Sequence, residues 1–121
     1  MLDHFAIGVR DLAASRAFYE AALAPLGFGV VMEGERFAAF GPPARPIFFL
    51  MAGREPASGV HIAFQANDRE RVDAFHAAAV AAGGRDHGHP GLRPEYHPHY
   101  YGAYVLDPDG NNAEAVCHTP G

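Results

Sequence analysis

The sequence contains no lysine, and its nine basic residues are all arginines. Without lysine, Schiff-base catalysis and a phosphate-binding loop built on lysine are both excluded. The arginines are scattered along a chain of net charge −5, so no basic surface for nucleic acid is predicted. No apolar run approaches the roughly 20 residues that a membrane-spanning helix requires, and no association with a membrane is expected.

Cysteine is also scarce, because Cys117 is the only one among 121 residues. A single cysteine cannot form an internal disulfide, which is typical of proteins in a reducing cytosol. The first residues lack the basic stretch, the apolar core and the cleavage site of a secretory signal. We therefore expect a cytoplasmic location. The length and the hydrophobic fraction of 49% predict one globular domain over residues 1–121.

An internal repeat is the most informative feature that the chain does contain. The stretches LDHFAIGVRD and GVHIAFQAND align at a constant offset of 57 residues, which places His4 on His61 and Asp11 on Asp68. In both stretches the residues alternate with a period of two, which predicts a strand with one apolar face. A helical pattern follows each strand. The two histidines are therefore expected at equivalent positions on two equivalent strands.

The repeat predicts an α+β fold of two tandem β-α-β-β-β modules, at about residues 1–56 and 57–121. We expect the modules to form a curved, half-open mixed sheet that makes a cup, with the helices packed outside it. A long polar loop is predicted over residues 85–99. The remaining strands are predicted near residues 28–33, 36–40, 46–51, 100–106 and 112–118.

Glu114 stands out in the last predicted strand, NAEAVCH. Its neighbours Ala113 and Ala115 share one face, where small side chains favour packing against a helix, so Glu114 is expected on the face that carries His4 and His61. A buried carboxylate is costly unless it is paired or coordinates a cation. Taken singly, each histidine is more typical of a hydrogen-bonded core residue. The three together predict a metal site of the two-histidine, one-carboxylate type.

The stretches LDHFAIGVRDLAASRAFYEAAL, GVHIAF and DPDGNNAEAV resemble the vicinal oxygen chelate superfamily, the glyoxalase/bleomycin-resistance/dioxygenase group, over essentially the full chain. In that family, paired modules surround a divalent metal. Its ligands are a histidine on the first strand of each module and an acid on the last strand. The resemblance implies that His4, His61 and Glu114 bind a divalent ion such as Fe, Mn, Zn or Ni. It also implies a small-molecule substrate and a homodimer.

Two further residues bear on the reaction. Aligning FGPP at 40–43 with LDPD at 106–109 places Phe48 opposite Glu114. Glyoxalase I generally has a second acid at this position, so the resemblance does not extend to glyoxalase I activity. Three tyrosines, at 100, 101 and 104, lie beside the last strand, and Tyr101 is our candidate for a catalytic phenol that acts as donor or acid.

Two classes of function remain open. The first is a metal-dependent enzyme of the lyase, transferase or dioxygenase kind, in which the ion acts as a Lewis acid on a small oxygen-bearing substrate. The second is a metal-free protein that binds a small molecule, such as a drug, in the same cup. The three candidate ligands favour the enzyme. Four histidines of the predicted loop are candidates to cover the cup, although solvated loop histidines are common: His87, His89, His97 and His99.

Overall fold

The computed structural model describes all residues from 1 to 121 and contains two α-helices and eight strands. This architecture confirms the predicted α+β fold of two tandem β-α-β-β-β modules. No helix is long and apolar enough to cross a membrane. The first module consists of β1 (Phe5–Gly8), α1 (Leu12–Leu23), a short 3₁₀ helix (Ala24–Leu26), β2 (Gly29–Gly34), β3 (Phe37–Gly41) and β4 (Phe48–Met51). The second consists of β5 (His61–Gln65), α2 (Arg69–Ala81), β6 (Arg85–Leu92), β7 (Tyr101–Leu106) and β8 (Asn112–Cys117).

Both helices begin at the aspartates that the repeat aligns. The Asp11 side chain accepts a hydrogen bond from the backbone N–H of Ala14 at 3.1 Å, and Asp68 accepts one from Arg71 at 2.9 Å. Each cap satisfies a backbone donor that has no partner within its helix. The same polar residue therefore fixes the start of the helix in each module.

Each module forms its own four-stranded sheet, with strand orders β1-β4-β3-β2 and β5-β8-β7-β6. The first and last strands of each module pair in parallel, and the other neighbours are antiparallel. Both helices lie on one face of the sheets. The opposite face of the first sheet carries the exposed His4, and that of the second carries the exposed His61.

The pairing register corrects the predicted position of Phe48. In the second module Glu114 lies opposite Ala63, and in the first module Phe49 lies opposite Ala6. Phe49, not Phe48, is therefore the equivalent of Glu114. Phe48 points to the other face and is fully buried in the core. The alignment of FGPP with LDPD is therefore one residue out of register with the strands that follow. A slip of one residue moves a side chain to the other face of its strand, which is why the alignment selects Phe48.

Strand β6 corrects the prediction of a polar loop over residues 85–99, because the first part of that segment forms a strand. Arg85–Leu92 pairs with β7 along the edge of the second sheet, and the pairing is irregular around Gly88. Glycine and proline within the segment obscure the strand pattern. An edge strand tolerates both residues, because one side of its backbone needs no ladder partner. Bulges also break the alternation of faces from which a strand is recognised.

A single cluster of 22 buried residues joins the two modules on the helix side of the sheets. The rings of Phe48 and Phe64, one from each module, pack with their centroids 5.5 Å apart. The fully buried Tyr19 on α1 donates a hydrogen bond to Asp107, between β7 and β8, at 2.6 Å. The modules are thus fixed together on their helix side, while the faces that carry the histidines are left open.

Candidate functional site

Glu114 lies at the centre of the open face of the second sheet, and its side chain is fully buried. Its Oε1 atom lies 2.6 Å from Nε2 of His61. Its other oxygen, Oε2, accepts a hydrogen bond from the hydroxyl of Tyr100. Both oxygens of a buried carboxylate are thus engaged, one by an imidazole and one by a phenol. This arrangement offsets the cost of removing the charge from water.

The strand pairing explains why these groups meet. The parallel register of β5 and β8 places Ala63 opposite Glu114, so His61, two residues earlier on the same face, reaches toward the carboxylate. Gly102 on β7 keeps the space beside it clear. A Cβ atom on Gly102 would lie 3.2 Å from Oε2 of Glu114 and 3.1 Å from the ring of Tyr100. Glycine at this position therefore lets the carboxylate and the phenol pack together without displacement.

Two tyrosines beside Glu114 are held in their protonated forms. Burial and the hydrogen bond to Glu114 raise the pKa of Tyr100 far above its usual value. Burial, followed by the negative charge of Glu114, also raises the pKa of Tyr104. Both phenols therefore keep their hydrogens at neutral pH. Tyr100 acts in this site as a hydrogen-bond donor to Glu114 rather than as a base.

Two clefts flank His61. One, of about 310 Å³, is mostly polar and extends toward β6. The other, of about 300 Å³, is mostly apolar and lies where the start of β1 approaches β5. The polar cleft is lined by His61, His87, Tyr96, Tyr104 and Asn112. The apolar cleft is lined by Leu2, Phe5, Val60, His61, Ile62 and Ala63. His61 thus stands between a polar and an apolar space, each large enough for part of a small molecule.

The open face of the first sheet is apolar and aromatic. The ring of His4 lies 5.4 Å from that of Phe49, which in turn lies 6.2 Å from Phe37. The His4 side chain is 57% exposed, and its Nδ1 atom lies 2.6 Å from a carboxylate oxygen of Asp3. His4 forms no contact with His61 or Glu114 within the chain. The chain brings together two of the three predicted ligands and leaves the third on another open surface.

Tyr101 lies on the opposite side of the second sheet from Glu114. Its hydroxyl donates to Asp73 of α2 at 2.7 Å, and the guanidinium of Arg69 lies 5.1 Å from its ring centre. The phenol that contacts Glu114 is Tyr100, which the sequence analysis did not select. Alternation along the strand places Tyr100 and Tyr101 on opposite faces, so only one of the two phenols can contact the glutamate. The choice between the two required knowing which face carries the glutamate.

The histidines predicted to cover the cup occupy different surroundings. His87 lines the polar cleft beside His61. His97 lies in the segment before β7, with its Nε2 atom 2.8 Å from Nδ1 of His118, the residue after β8. His89 contacts Asp86, and His99 is exposed. Only His87 is therefore placed directly at the candidate site.

The His61–Glu114 pair has suitable donor chemistry for a divalent ion. An imidazole nitrogen and a carboxylate oxygen are typical ligands of Zn, Fe, Mn and Ni. Two such ligands at right angles, each about 2.1 Å from an ion, lie about 3 Å apart. The 2.6 Å between Nε2 of His61 and Oε1 of Glu114 would need only a small separation to reach that spacing. The residues therefore fit a metal ion, with further ligands supplied from outside this pair.

The chain has two open sheets built from tandem β-α-β-β-β modules, and one open face carries a histidine and a buried glutamate. These features define a two-module cup protein. The family model of the Glyoxalase/Bleomycin resistance protein/Dioxygenase superfamily matches residues 1–115, and the chain belongs to that superfamily. No curated protein matches the chain significantly.

Solved structures agree with this assignment. The chain is 34% identical to a glyoxalase/bleomycin resistance protein from Albidiferax ferrireducens T118, with a TM-score of 0.85 and coverage of 98% of this chain and 99% of that one. A glyoxalase/bleomycin resistance protein/dioxygenase family enzyme from Burkholderia phytofirmans PsJN is 21% identical, with a TM-score of 0.74 and coverage of 97% and 98%. The lactoylglutathione lyase of Agrobacterium tumefaciens is 23% identical, with a TM-score of 0.69 and coverage of 97% and 92%. The last two similarities show the fold alone.

Proposed function

We propose that the chain is a metal-dependent enzyme that acts on a small oxygen-bearing substrate, with chemistry of the lyase, transferase or dioxygenase kind. Glu114 is the main support for this function. A fully buried carboxylate beside a histidine on an open face places the two donor types of a divalent-metal site side by side. A bound divalent ion would supply Lewis-acid polarisation of a substrate oxygen. We place the enzyme in the cytoplasm, because its only cysteine, Cys117, is buried and unpaired.

In this proposal the chain's own residues hold the carboxylate and the imidazole in place. Tyr100 donates to Oε2 of Glu114 and so orients Oε1 toward His61. Such outer hydrogen bonds fix the direction and basicity of a ligand. Gly102 leaves the space in which this contact forms. Tyr104 and Asn112, on the wall of the polar cleft, are available to bind polar groups of a substrate.

We further propose that a second copy of the chain completes the site, giving a homodimer. The open faces of the two sheets differ in character, since one carries His4 with an aromatic patch and the other carries His61 with Glu114. Pairing the first face of one copy with the second face of the other would cover both and supply His4 as the third ligand. The resulting cup would have a polar metal-binding wall and an apolar wall formed by Phe37 and Phe49.

A metal-free binding protein is the second candidate function. The direct contact of 2.6 Å between His61 and Glu114 favours it, because the imidazole can itself serve as the partner of the buried carboxylate. In this function the cup would bind a small molecule between its apolar and polar walls and perform no chemistry. The two candidates differ in whether Glu114 is needed to hold a metal.

Elemental analysis of untagged protein, purified without chelator, tests the proposal. We expect about one metal ion per chain at this site, lost in both Glu114→Gln and His61→Ala, because two remaining ligands rarely hold a first-row metal tightly. His99→Ala is the matched control, since His99 is exposed and is not a hydrogen-bond partner of the glutamate. If Glu114→Gln and wild type contain equal amounts of metal, even after incubation with Fe, Mn, Zn or Ni, the metal-free candidate is favoured instead.

A further inference from the structure

A second group of potential ligands lies between α2 and the edge strand β6. We propose that His76, Asp86 and His89 form a binding site for a late first-row divalent cation such as Zn²⁺, separate from the cup. One ligating atom from each of the three residues lies within 4.8 Å of the others. The Asp86 carboxylate is 2.8 Å from Nε2 of His76 and 2.9 Å from Nδ1 of His89. The three side chains already meet at the Asp86 carboxylate.

The bulges in β6 produce this convergence. Asp86 and His89 are three residues apart, and in a regular strand they would point to opposite faces. The register of β6 against β7 shifts between Asp86 and Gly88 and again between Gly88 and Gly91. These irregularities turn His89 to the side of Asp86 that faces α2, where His76 lies. Bulges that redirect a side chain in this way are common at functional sites.

Gly88 allows the strand to take this path. A Cβ atom at position 88 would collide with the ring of Tyr104 on the neighbouring strand. The backbone N–H of Gly88 also donates to Oδ1 of Asp86 at 3.1 Å, which orients the carboxylate. The same residue therefore lets the strand take this path and orients the ligand through its backbone amide.

The chemistry of the three donors matches zinc. Two imidazoles and one carboxylate form a common three-ligand set, with water completing the shell. Exposure increases from 14% for the His76 side chain to 40% for Asp86 and 80% for His89. The innermost ligand is thus held by the fold, while the outermost lies in solvent, where an arriving ion can reach the group. Sites of this kind take the metals that bind imidazole well, and not Ca²⁺ or Mg²⁺.

This site is independent of the cup, and the inference does not rest on the proposed function. None of its three residues contacts His61, Glu114 or Tyr100. His87, which lies between Asp86 and His89 in sequence, lines the polar cleft of the cup. A bound ion would join α2 to β6 and so stabilise an edge strand whose ladder is interrupted twice.

Zinc titration of untagged, metal-stripped protein by calorimetry tests the site. We expect about two zinc ions per chain for wild type, one for Glu114→Gln, one for His89→Asn and none for the combination of both changes. Asp86→Asn should behave like His89→Asn, and His99→Asn, a matched exposed histidine, should bind like wild type. If the cup binds no metal, wild type will bind about one ion, and His89→Asn alone will abolish it.

Hydrogen exchange provides a second readout that does not depend on stoichiometry. Zinc should slow exchange of the β6 backbone amides in wild type and in Glu114→Gln, and should have no such effect in His89→Asn. His89 is mostly exposed, so this variant is expected to fold normally. Retention of both zinc ions by His89→Asn and Asp86→Asn, or unchanged exchange of the β6 amides in wild type, would overturn the proposal.

Discussion

Phe49 and Glu114 occupy the same position in the two modules. Phe49 pairs with Ala6 on β1, as Glu114 pairs with Ala63 on β5. The first module therefore presents an aromatic ring where the second presents a carboxylate. A cup formed by the two faces has an acid at only one of these two positions, and this asymmetry bears on which reactions the proposed site can support.

An acid at position 49 should change the metal site, whereas an acid at position 48 should damage the fold. We expect Phe49→Glu to alter metal affinity or metal preference by tenfold or more, because it adds a carboxylate beside His4. Phe48→Glu should lower the free energy of unfolding by roughly 3–5 kcal/mol, because it places an unpaired charge in the core. Metal titration and urea unfolding measure the two effects. Unchanged metal binding by a folded Phe49→Glu protein would contradict the proposed cup.

The wild-type protein should show negligible isomerisation of the hemithioacetal formed from methylglyoxal and glutathione. Phe49 stands where a second carboxylate would be needed to move a proton between adjacent carbons. A positioned general base typically contributes about 10²–10⁴-fold to such a step. A spectrophotometric assay of the metal-loaded enzyme measures the rate, with a glyoxalase I as positive control. Robust turnover by wild type would show that another group serves as the base.

The sequence was sufficient to predict the modules and to place His61 and Glu114 on the same face, and their role as metal ligands stays a prediction. Both depend on a period of two within strands and on a repeat at constant offset, which are local properties of the chain. The caps Asp11 and Asp68 were aligned by the same repeat. The location of His4 relative to the pair was beyond this reasoning, because packing between the modules, rather than any local pattern, sets the distance between two sheets.

Other features depended on pairing that the sequence does not display. The position of Phe49 is set by the partner strand and not by the turn before it, so aligning turns gave the wrong residue. The group His76, Asp86 and His89 requires two bulges within an edge strand that was predicted to be a loop. Tyr100 lies just before β7, where strand alternation gives two candidate phenols and no means of choosing between them.

Removal of the Tyr100 hydroxyl should affect the metal site, whereas removal of the Tyr101 hydroxyl should not. Tyr100→Phe leaves a buried oxygen of Glu114 without its donor, so we expect a loss of about 1–3 kcal/mol in stability. Metal affinity should fall about 10–100-fold, as is typical when the outer partner of a ligand is lost. Tyr101→Phe loses only the bond to Asp73 on the other face and should retain wild-type metal affinity. Equal metal affinities for the two variants would exclude the positioning role of Tyr100.

The stability of the protein at high pH should depend on Tyr19. Burial, followed by the charge of Asp107, raises the pKa of this phenol well above its usual value of 10.0. The stabilisation is complete below pH 10, where the unfolded chain also keeps the proton. It is lost as the pH rises above 10, because only the unfolded chain then releases the proton readily. Tyr19→Phe should therefore reduce the decline in stability above pH 10, measured by urea unfolding.

Tyr19→Phe should also lower stability at pH 7 by about 1 kcal/mol, because Asp107 loses one of its donors. Tyr96→Phe is the control, since Tyr96 is 61% exposed. An equal decline above pH 10 in wild type and in Tyr19→Phe would mean that other groups govern alkaline unfolding.

Mixing two variants that each lack a metal ligand should restore metal binding if the cup forms between two copies. His4→Ala and Glu114→Gln each remove a ligand from every site of their own homodimers. In a mixed dimer, one site would contain both changes, whereas the other would combine the intact His4 of one copy with the intact Glu114 of the other. With random exchange, about a quarter of the wild-type sites should reappear. A His89→Asn background removes the separate site between α2 and β6 from the measurement.

The two variants should be unfolded together in urea and refolded, then analysed for metal and for mass by sedimentation. A cup formed within one chain would give no recovery, because every chain in the mixture lacks one ligand. Each variant refolded alone is the control and should remain without metal at this site. Recovery of metal in a dimeric species would support both the homodimer and the contribution of His4, whereas its absence in a fully exchanged mixture would exclude a cup shared between copies.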